Sequence, residues 1–234
     1  MTRAHEKLIA TFMLGSFFLG GCGRELTIEP RRTMTVDDIA QHYKVTVFST
    51  SEGAKSYTVT ASFLAGTGAG AHGIVLPDGD TLTLIGAAMT AGTSDVFSTS
   101  GSGNPRTFAF VWTHESTAYA NTLTATAYEP AAIPTTISKT SDATIAISGV
   151  PAGTTVSATV NNGNKIAAPF FAVPLQVTGG GAAAKDSSNF SGLTSGVGAL
   201  AIIEVTEPAL QSPTSAGGSA LVTVQFGYNV SITD

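Results

Sequence analysis

Four side chains in the middle of the sequence carry the groups that acid–base or metal chemistry needs. Asp78 and Asp80 flank a glycine in a turn sequence, and His114 is followed directly by Glu115. Carboxylates and an imidazole can relay a proton or ligate a cation only when they converge within about 10 Å. These four residues are therefore the candidate site of a hydrolase or a metal-dependent enzyme, although Asp and Gly are also what a tight turn requires.

No complete catalytic motif accompanies these residues. The segment Gly192-Leu193-Thr194-Ser195-Gly196 misses the spacing of a serine-hydrolase nucleophile turn by one residue. His114-Glu115 lacks the second histidine of a zinc helix, and Gly179–Gly181 with Lys185 lacks the spacing of a phosphate-binding loop. The sequence therefore predicts a protein that is not an enzyme, with no catalytic residues, no cofactor and no bound metal ion.

Cys22 is the only cysteine, and it follows a short apolar segment. Arg3 and Lys7 precede the apolar run Leu8–Leu19, which is shorter than the roughly 20 residues that a helix needs to cross a bilayer. A basic start, an apolar run of this length and then small residues are typical of a secretory signal peptide. We expect residues 1–21 to be removed.

The sequence Leu19-Gly20-Gly21-Cys22 resembles the lipobox of bacterial lipoproteins. This resemblance implies that a signal peptidase recognises Leu19, Gly20 and Gly21, and that the Cys22 thiol receives a diacylglyceryl group before cleavage. It also implies a further fatty acid, such as palmitate, on the new amino terminus. Several acyl chains give a firm membrane anchor, at about 0.8 kcal/mol per buried methylene. An ordinary signal peptide with a chance cysteine is the alternative.

The residue after Cys22 and the charge balance narrow the expected location and partners. In the lipoprotein family an Asp after the cysteine usually retains the protein at the inner membrane, so Gly23 implies the outer membrane. Without residues 1–21 the chain holds nine basic and fifteen acidic residues, a net charge of −6. Because it lacks a basic surface for phosphates, we expect no nucleic-acid partner. The expected partners are the membrane, through the acyl groups, and an envelope protein or glycan.

Short alternating apolar segments predict an all-β fold. Tyr57–Phe63, Phe108–Trp112 and Val222–Ile232 alternate apolar with polar or small residues, which is the pattern of half-buried antiparallel strands. Spacings of about 8–15 residues with Gly, Pro and Asn turns favour an antiparallel β-sandwich. The strand style resembles the immunoglobulin-like (Ig-like) modules of bacterial surface lipoproteins, although the immunoglobulin cysteine pair is absent. A single larger sandwich or a closed barrel remains an alternative.

The predicted organisation is a signal peptide at 1–21, the lipidated cysteine and a tether at 22–34, and two tandem sandwich domains at 35–129 and 130–234. The boundary rests on Glu129-Pro130 through Pro134, where two prolines follow a complete strand. Smaller predictions are a helical turn over Thr35–Gln41 and a hairpin around Pro77-Asp78-Gly79-Asp80. The Gly- and Ala-rich stretch 179–198 predicts a long loop.

These observations favour a lipid-anchored cell-envelope protein with a non-enzymatic binding, adhesion or structural role. The alternative is an envelope hydrolase or metal-dependent enzyme that uses Asp78, Asp80, His114 and Glu115. A third reading is an assembly subunit that pairs its exposed edge strands with another chain.

Overall fold

A computed structural model describes residues 35–50, 53–66, 71–92, 95–126, 129–141, 143–148, 155–161, 173–178, 182–185 and 193–234. Within these ranges the chain is all-β, apart from one 3-10 turn at Val36–Asp38. Residues Met34–Asp234 form one compact unit.

Sixteen strands follow one another along the described residues. The first eight are β1 (Ile39–Thr50), β2 (Lys55–Ala65), β3 (His72–Gly73), β4 (Thr81–Leu84), β5 (Ala87–Ala88), β6 (Val96–Ser102), β7 (Thr107–His114) and β8 (Thr117–Thr124). The others are β9 (Glu129–Ala132), β10 (Thr136–Ser138), β11 (Ala143–Ser148), β12 (Thr155–Asn161), β13 (Val173–Thr178), β14 (Ala182–Lys185), β15 (Gly196–Thr206) and β16 (Gly218–Thr233).

The strands form three sheets. The largest has nine strands in the order β13-β12-β15-β16-β1-β2-β3, with β10 also paired to β16 and β6 also paired to β2. A four-stranded sheet has the order β5-β4-β7-β8, and a three-stranded sheet has the order β14-β11-β9. Most neighbours are antiparallel, but β1 and β10 both run parallel to β16.

The centre of the nine-stranded sheet is formed by the first and last strands of the compact unit. β1 and β16 pair in parallel over ten register pairs, from Gln41↔Gly218 to Thr50↔Gly227. Every second residue of β16 from Ala220 is buried or half-buried. A register slip of one residue would expose that apolar set, so the burial pattern fixes the pairing.

The nine-stranded and four-stranded sheets pack face to face through aromatic side chains. Tyr43 of β1 lies 4.5 Å from Phe110 of β7, and Phe63 of β2 lies 5.0 Å from Trp112, measured between ring centroids. Such offset and tilted ring pairs contribute beyond the area that they bury. The arrangement is β-sandwich-like, and its core lies between β1, β2 and β7.

The predicted apolar faces are confirmed where the structure describes them. Val59, Ala61 and Phe63 are buried on β2, and Phe108, Phe110 and Trp112 are buried on β7. The alternation across β16 is confirmed as well. Period-two patterns therefore identified these core strands correctly.

The two tandem domains are not confirmed. The nine-stranded sheet takes strands from both sides of Glu129/Pro130, and Glu129–Ala132 is itself strand β9, paired with β11. Proline is tolerated there because β9 is an edge strand of its sheet.

Three smaller predictions need correction. Only Val36–Asp38 is helical, and Ile39 already begins β1. The turn at Pro77–Asp80 does not close a hairpin, because Gly73 pairs with β2 in one sheet whereas Thr81–Leu84 pairs with β7 in another. Within the predicted loop 179–198, Ala182–Lys185 is strand β14 and Gly196 begins β15.

Candidate functional site

Two of the four residues singled out for chemistry, Asp80 and His114, are in direct contact. Nδ1 of His114 lies 2.8 Å from Oδ1 of Asp80, and the indole N–H of Trp112 donates to Oδ2 of Asp80 at 2.8 Å. The Asp80 side chain is 2% exposed and the His114 side chain 21%. Each oxygen of the Asp80 carboxyl group therefore has one hydrogen-bond partner.

A tight turn and a strand ladder bring this pair together. The Asp80 amide donates to the carbonyl oxygen of Pro77 at 3.0 Å, and Gly79 supplies the positive φ of 94° that the turn needs. The next residue, Thr81, pairs with Thr113 in the β4–β7 ladder. Asp80 therefore enters the sheet level with the end of β7, where His114 lies.

The buried Trp112 ring explains why a hydrogen-bond acceptor is needed at this position. Trp112 is fully buried, with its ring 5.0 Å from that of Phe63 and stacked at 4.9 Å on that of Tyr119. A buried indole N–H requires an acceptor, and Asp80 supplies it. Asp80 therefore anchors the Pro77–Asp80 turn to β7 in addition to orienting His114.

This arrangement orients an imidazole at the rim of the four-stranded sheet. In the tautomer that donates its Nδ1 proton to Asp80, the imidazole of His114 carries its lone pair on Nε2. An imidazole held in this way can exchange a proton or ligate a metal ion through Nε2. The pair supplies a base, His114, and the acid that orients it, Asp80. Proton transfer would also need a nucleophile, and metal binding would need further ligands, from a substrate or from another part of the protein.

The other two candidates do not join the pair. Asp78 and Glu115 are both exposed, and neither forms a hydrogen bond or an ion pair within the described ranges. Glu115 has a φ of 53° in the turn between β7 and β8. Among the residues that the structure describes, no group of three or more His, Cys, Asp or Glu side chains is placed to hold a metal ion.

Other residues with reactive side chains lie elsewhere. Ser195 donates to Oδ1 of Asp234 at 3.0 Å. His42 lies 2.7 Å from the hydroxyl of Ser219, and burial lowers the pKa of its imidazole. Cys22, with Leu19, Gly20 and Gly21, lies outside the described residues.

A buried polar cluster joins the two packed sheets at β1 and β8. The Tyr43 hydroxyl donates to Oε1 of Gln41 at 2.9 Å, and the Asn121 amide donates to the same oxygen at 3.0 Å. The Gln41 amide donates to the carbonyl oxygen of Ser212 at 3.2 Å. Burial raises the pKa of the Tyr43 hydroxyl, so it stays protonated and remains a donor.

The same cluster holds the segment between β15 and β16 against β8. Oδ1 of Asn121 accepts the amides of Gln211 at 2.9 Å and Ser212 at 3.0 Å. The Gln211 side chain accepts from the Thr122 amide at 2.5 Å and donates to its carbonyl oxygen at 2.9 Å. Gln211 therefore occupies backbone groups on the outer side of β8, which protects this sheet edge from pairing with another strand.

The sequence analysis missed this cluster, although the sequence contains a sign of it. Gln41 is in phase with Tyr43 and Val45, and Asn121 is in phase with Leu123. A polar amide on an otherwise apolar strand face must be hydrogen-bonded when it is buried. Such out-of-place polar residues mark buried networks but do not identify their partners.

Glu204 of β15 is a second buried acid. The residue is 1% exposed, its Oε1 accepts from the Thr126 hydroxyl at 2.7 Å, and its Oε2 has no hydrogen-bond partner in the described part of the chain. Burial raises the pKa of this carboxyl, and the bond from Thr126 opposes that rise only in part. A carboxyl with one unpaired buried oxygen favours the protonated form.

No helix among the described residues has the length and apolar character needed to cross a membrane. Comparison with models of known protein families finds no match, and comparison with curated proteins finds none either.

Proposed function

We propose that this chain is a lipid-anchored cell-envelope protein with a non-enzymatic binding, adhesion or structural role. The observation that carries the proposal is the order of basic residues, the apolar run Leu8–Leu19 and the lipobox-like Leu19-Gly20-Gly21-Cys22. An all-β body beyond residue 35 supports it, because a sandwich-like scaffold offers loops and sheet edges for binding.

Two finer points belong to the same proposal. The sandwich is Ig-like, and its aromatic core between two facing sheets supports that description. The anchor lies in the outer membrane of a cell that has one, because Gly23 follows the cysteine where an Asp would favour retention at the inner membrane.

The test is intact mass and detergent partition of the full chain and of Cys22→Ala, both expressed in cells that process lipoproteins. We expect the native chain to lose residues 1–21, gain acyl mass and enter the detergent phase, whereas Cys22→Ala stays in the aqueous phase. A Gly23→Asp form serves as the matched control: it should still be acylated but fractionate with the inner membrane. Equal, unacylated behaviour of the native and Cys22→Ala forms would refute the proposal.

The Asp80–His114 contact favours one second candidate, an acid–base role at the rim of the four-stranded sheet. Hydrolysis of an activated ester such as p-nitrophenyl acetate, followed across pH 5–9, tests it. We expect His114→Gln and Asp80→Asn to lose the pH-dependent rate and Asp78→Asn to keep it. A His42→Gln form that loses the same rate would show that the reaction is unspecific.

A further inference from the structure

β8 is an edge strand of the four-stranded sheet, and its sequence carries none of the usual protection of an edge. Among the described strands it pairs with β7 alone. Residues Thr117–Thr124 include no charged side chain and no proline. Protein sheet edges usually carry lysine, other charges or proline, which prevent pairing with another strand. Protection of this edge must therefore come from outside the strand.

The outward backbone groups of β8 belong to every second residue. The Ala125 amide donates to the carbonyl oxygen of Arg106, just before β7, so the odd-numbered residues pair inward. Within the described chain, only Thr122 has partners for its outward N–H and C=O groups. The residues that point their backbone groups outward are all exposed, and they are Ala118, Ala120, Thr122 and Thr124.

The partner of Thr122 is a side chain that imitates a neighbouring strand. Oε1 of Gln211 accepts from the Thr122 amide at 2.5 Å, and Nε2 donates to the Thr122 carbonyl oxygen at 2.9 Å. An antiparallel neighbour would make the same two bonds with its own backbone. A carboxamide offers a donor and an acceptor side by side, as a peptide group does. Gln211 therefore takes the place of a strand beside β8.

The segment that carries Gln211 is also held by bonds that do not involve this side chain. Oδ1 of Asn121 accepts the backbone amides of Gln211 and Ser212, at 2.9 and 3.0 Å. The Thr214 hydroxyl donates to the carbonyl oxygen of Ile39 at 2.5 Å. Truncation of Gln211 to alanine would leave these bonds in place and uncover Thr122.

A second copy of β8 matches the uncovered edge. In an antiparallel pair with its two-fold axis at Asn121, Ala118 lies opposite Thr124 of the other copy, and Ala120 lies opposite Thr122. All the outward residues of both copies then exchange backbone hydrogen bonds. Small and hydroxyl side chains face one another in these pairs, with no like charges to repel.

We propose that Gln211 is an internal cap that keeps β8 from pairing with β8 of a second copy. With the cap in place, the backbone groups of Thr122 are already bonded, and the side chain fills the space that a second strand needs. This edge is therefore a self-assembly surface that the native chain holds closed. The inference is independent of the proposed lipid anchor, because Gln211 and β8 both lie in the folded body.

Gln211→Ala removes the cap, and sedimentation velocity of the full chain in non-ionic detergent measures the result. We expect the native chain to sediment as a monomer and Gln211→Ala to double in mass as its concentration rises to about 100 μM. Ser215→Ala is the matched control. It also removes a side-chain hydrogen bond of this segment, to Asp37, but leaves the cap intact, so it should stay monomeric. The same series on the Cys22→Ala chain excludes association through acyl groups.

A second substitution identifies the edge that forms the dimer. Ala120→Pro removes an outward N–H that takes no part in the β7 ladder, so an edge strand tolerates it. We expect the chain with both Gln211→Ala and Ala120→Pro to be monomeric. Circular dichroism checks that each variant is folded.

Hydrogen exchange tests the cap in the native chain itself. Relative to their intrinsic rates, the Thr122 amide should exchange at least about tenfold more slowly than the Ala120 amide, because Gln211 accepts a hydrogen bond only from Thr122. In Gln211→Ala this difference should disappear at concentrations below those at which the dimer forms.

The proposal is overturned by a Gln211→Ala chain that stays monomeric throughout, or by a dimer that persists after Ala120→Pro is added. Equal protection of the Thr122 and Ala120 amides in the native chain would also overturn it. So would a Ser215→Ala chain that dimerises like Gln211→Ala, because loosening of the segment, and not loss of the cap, would then cause the association.

Discussion

Asp80 serves two donors at once, and its carboxylate cannot be replaced by an amide without loss. An asparagine at this position can accept from the Trp112 N–H with its oxygen, but it then presents its N–H group to His114, so the imidazole loses the carboxylate bond and must change tautomer to accept. We expect Asp80→Asn to lower the free energy of unfolding by about 1–3 kcal/mol. Chemical denaturation followed by Trp112 fluorescence measures this change.

Asp78→Asn is the matched control for that prediction, because Asp78 is exposed and lies two residues earlier in the same turn. Its effect should stay within about 0.5 kcal/mol. Equal effects of the two substitutions would show that Asp80 does not stabilise the fold through these two bonds.

Glu204 makes stability depend on pH in the opposite direction from a salt-bridged acid. Its pKa is raised by burial, so the folded protein holds this proton at pH values where the unfolded chain has released it. Its contribution is favourable below the ordinary pKa of a glutamate and is lost as pH rises from there through the raised value. We expect the stability of Glu204→Gln relative to the native chain to increase over that pH window.

Urea denaturation at a series of pH values from about 4 to 8 measures the effect of Glu204→Gln. Glu207→Gln, at an exposed position of the following segment, serves as the control for the same chemical change. A difference between Glu204→Gln and the native chain that does not vary with pH would contradict the prediction.

Among the elements, the β4–β5 hairpin contains a residue that works against its own turn. Ile85 and Gly86 both have positive φ, which suits asparagine and glycine but not a β-branched residue. Because Ile85 is largely exposed, its replacement sacrifices little buried area. We expect Ile85→Asn to raise the free energy of unfolding by about 1 kcal/mol.

Val75→Asn is the control for the Ile85 prediction, since Val75 is 62% exposed and does not have a positive φ. Val75→Asn should not raise the free energy of unfolding. A similar increase in both variants would mean that the loss of an exposed apolar side chain, and not the relief of backbone strain, stabilises the protein. Both variants are compared by thermal and chemical unfolding.

Most of the core strands could be predicted from alternation, but their partners could not. β2, β7 and β16 show their apolar faces in the sequence, whereas β1 was missed even though Tyr43, Val45 and Val47 alternate within it. Its polar in-phase residue Gln41 and its short neighbouring turn obscured the pattern. The partners of each strand depend on contacts between distant residues, which periodicity does not encode.

The candidate site was predictable only as a set of residue types. Asp80 and His114 are 34 positions apart, and their contact depends on the register of β4 against β7. Asp78 and Glu115 are acids that lie within two residues of the pair in sequence, yet both are exposed and neither contacts it among the described residues. The sequence analysis could not separate the two that meet from the two that do not.

For the molecule as a whole, the continuous nine-stranded sheet links the stability of the two sequence halves. Ile202 is buried on β15, which lies between β12 and β16 in the nine-stranded sheet. Trp112 is the single tryptophan of the sequence and lies on β7 of the four-stranded sheet. We expect Ile202→Ala, with a cost of about 2–5 kcal/mol, to move the unfolding midpoint reported by Trp112 fluorescence. Circular dichroism should give the same midpoint.

Val205→Ala, at an exposed position of the same strand, is the control and should leave the midpoint almost unchanged. Two independently folding domains would instead leave the Trp112 transition in place when Ile202 is truncated. That result would support the predicted division at Glu129/Pro130.

The parallel pairing of β1 with β16 also determines how the molecule resists force. A pull between the start of β1 and the end of β16 acts along both strands in opposite directions, so the ladder of ten register pairs is loaded in shear. The evenly spaced bonds that cross between these parallel strands must then break together, whereas a hairpin opened from its ends breaks them one at a time. Under the proposed tether before Ile39, a force on the end of β16 would therefore load the ten β1–β16 pairs together.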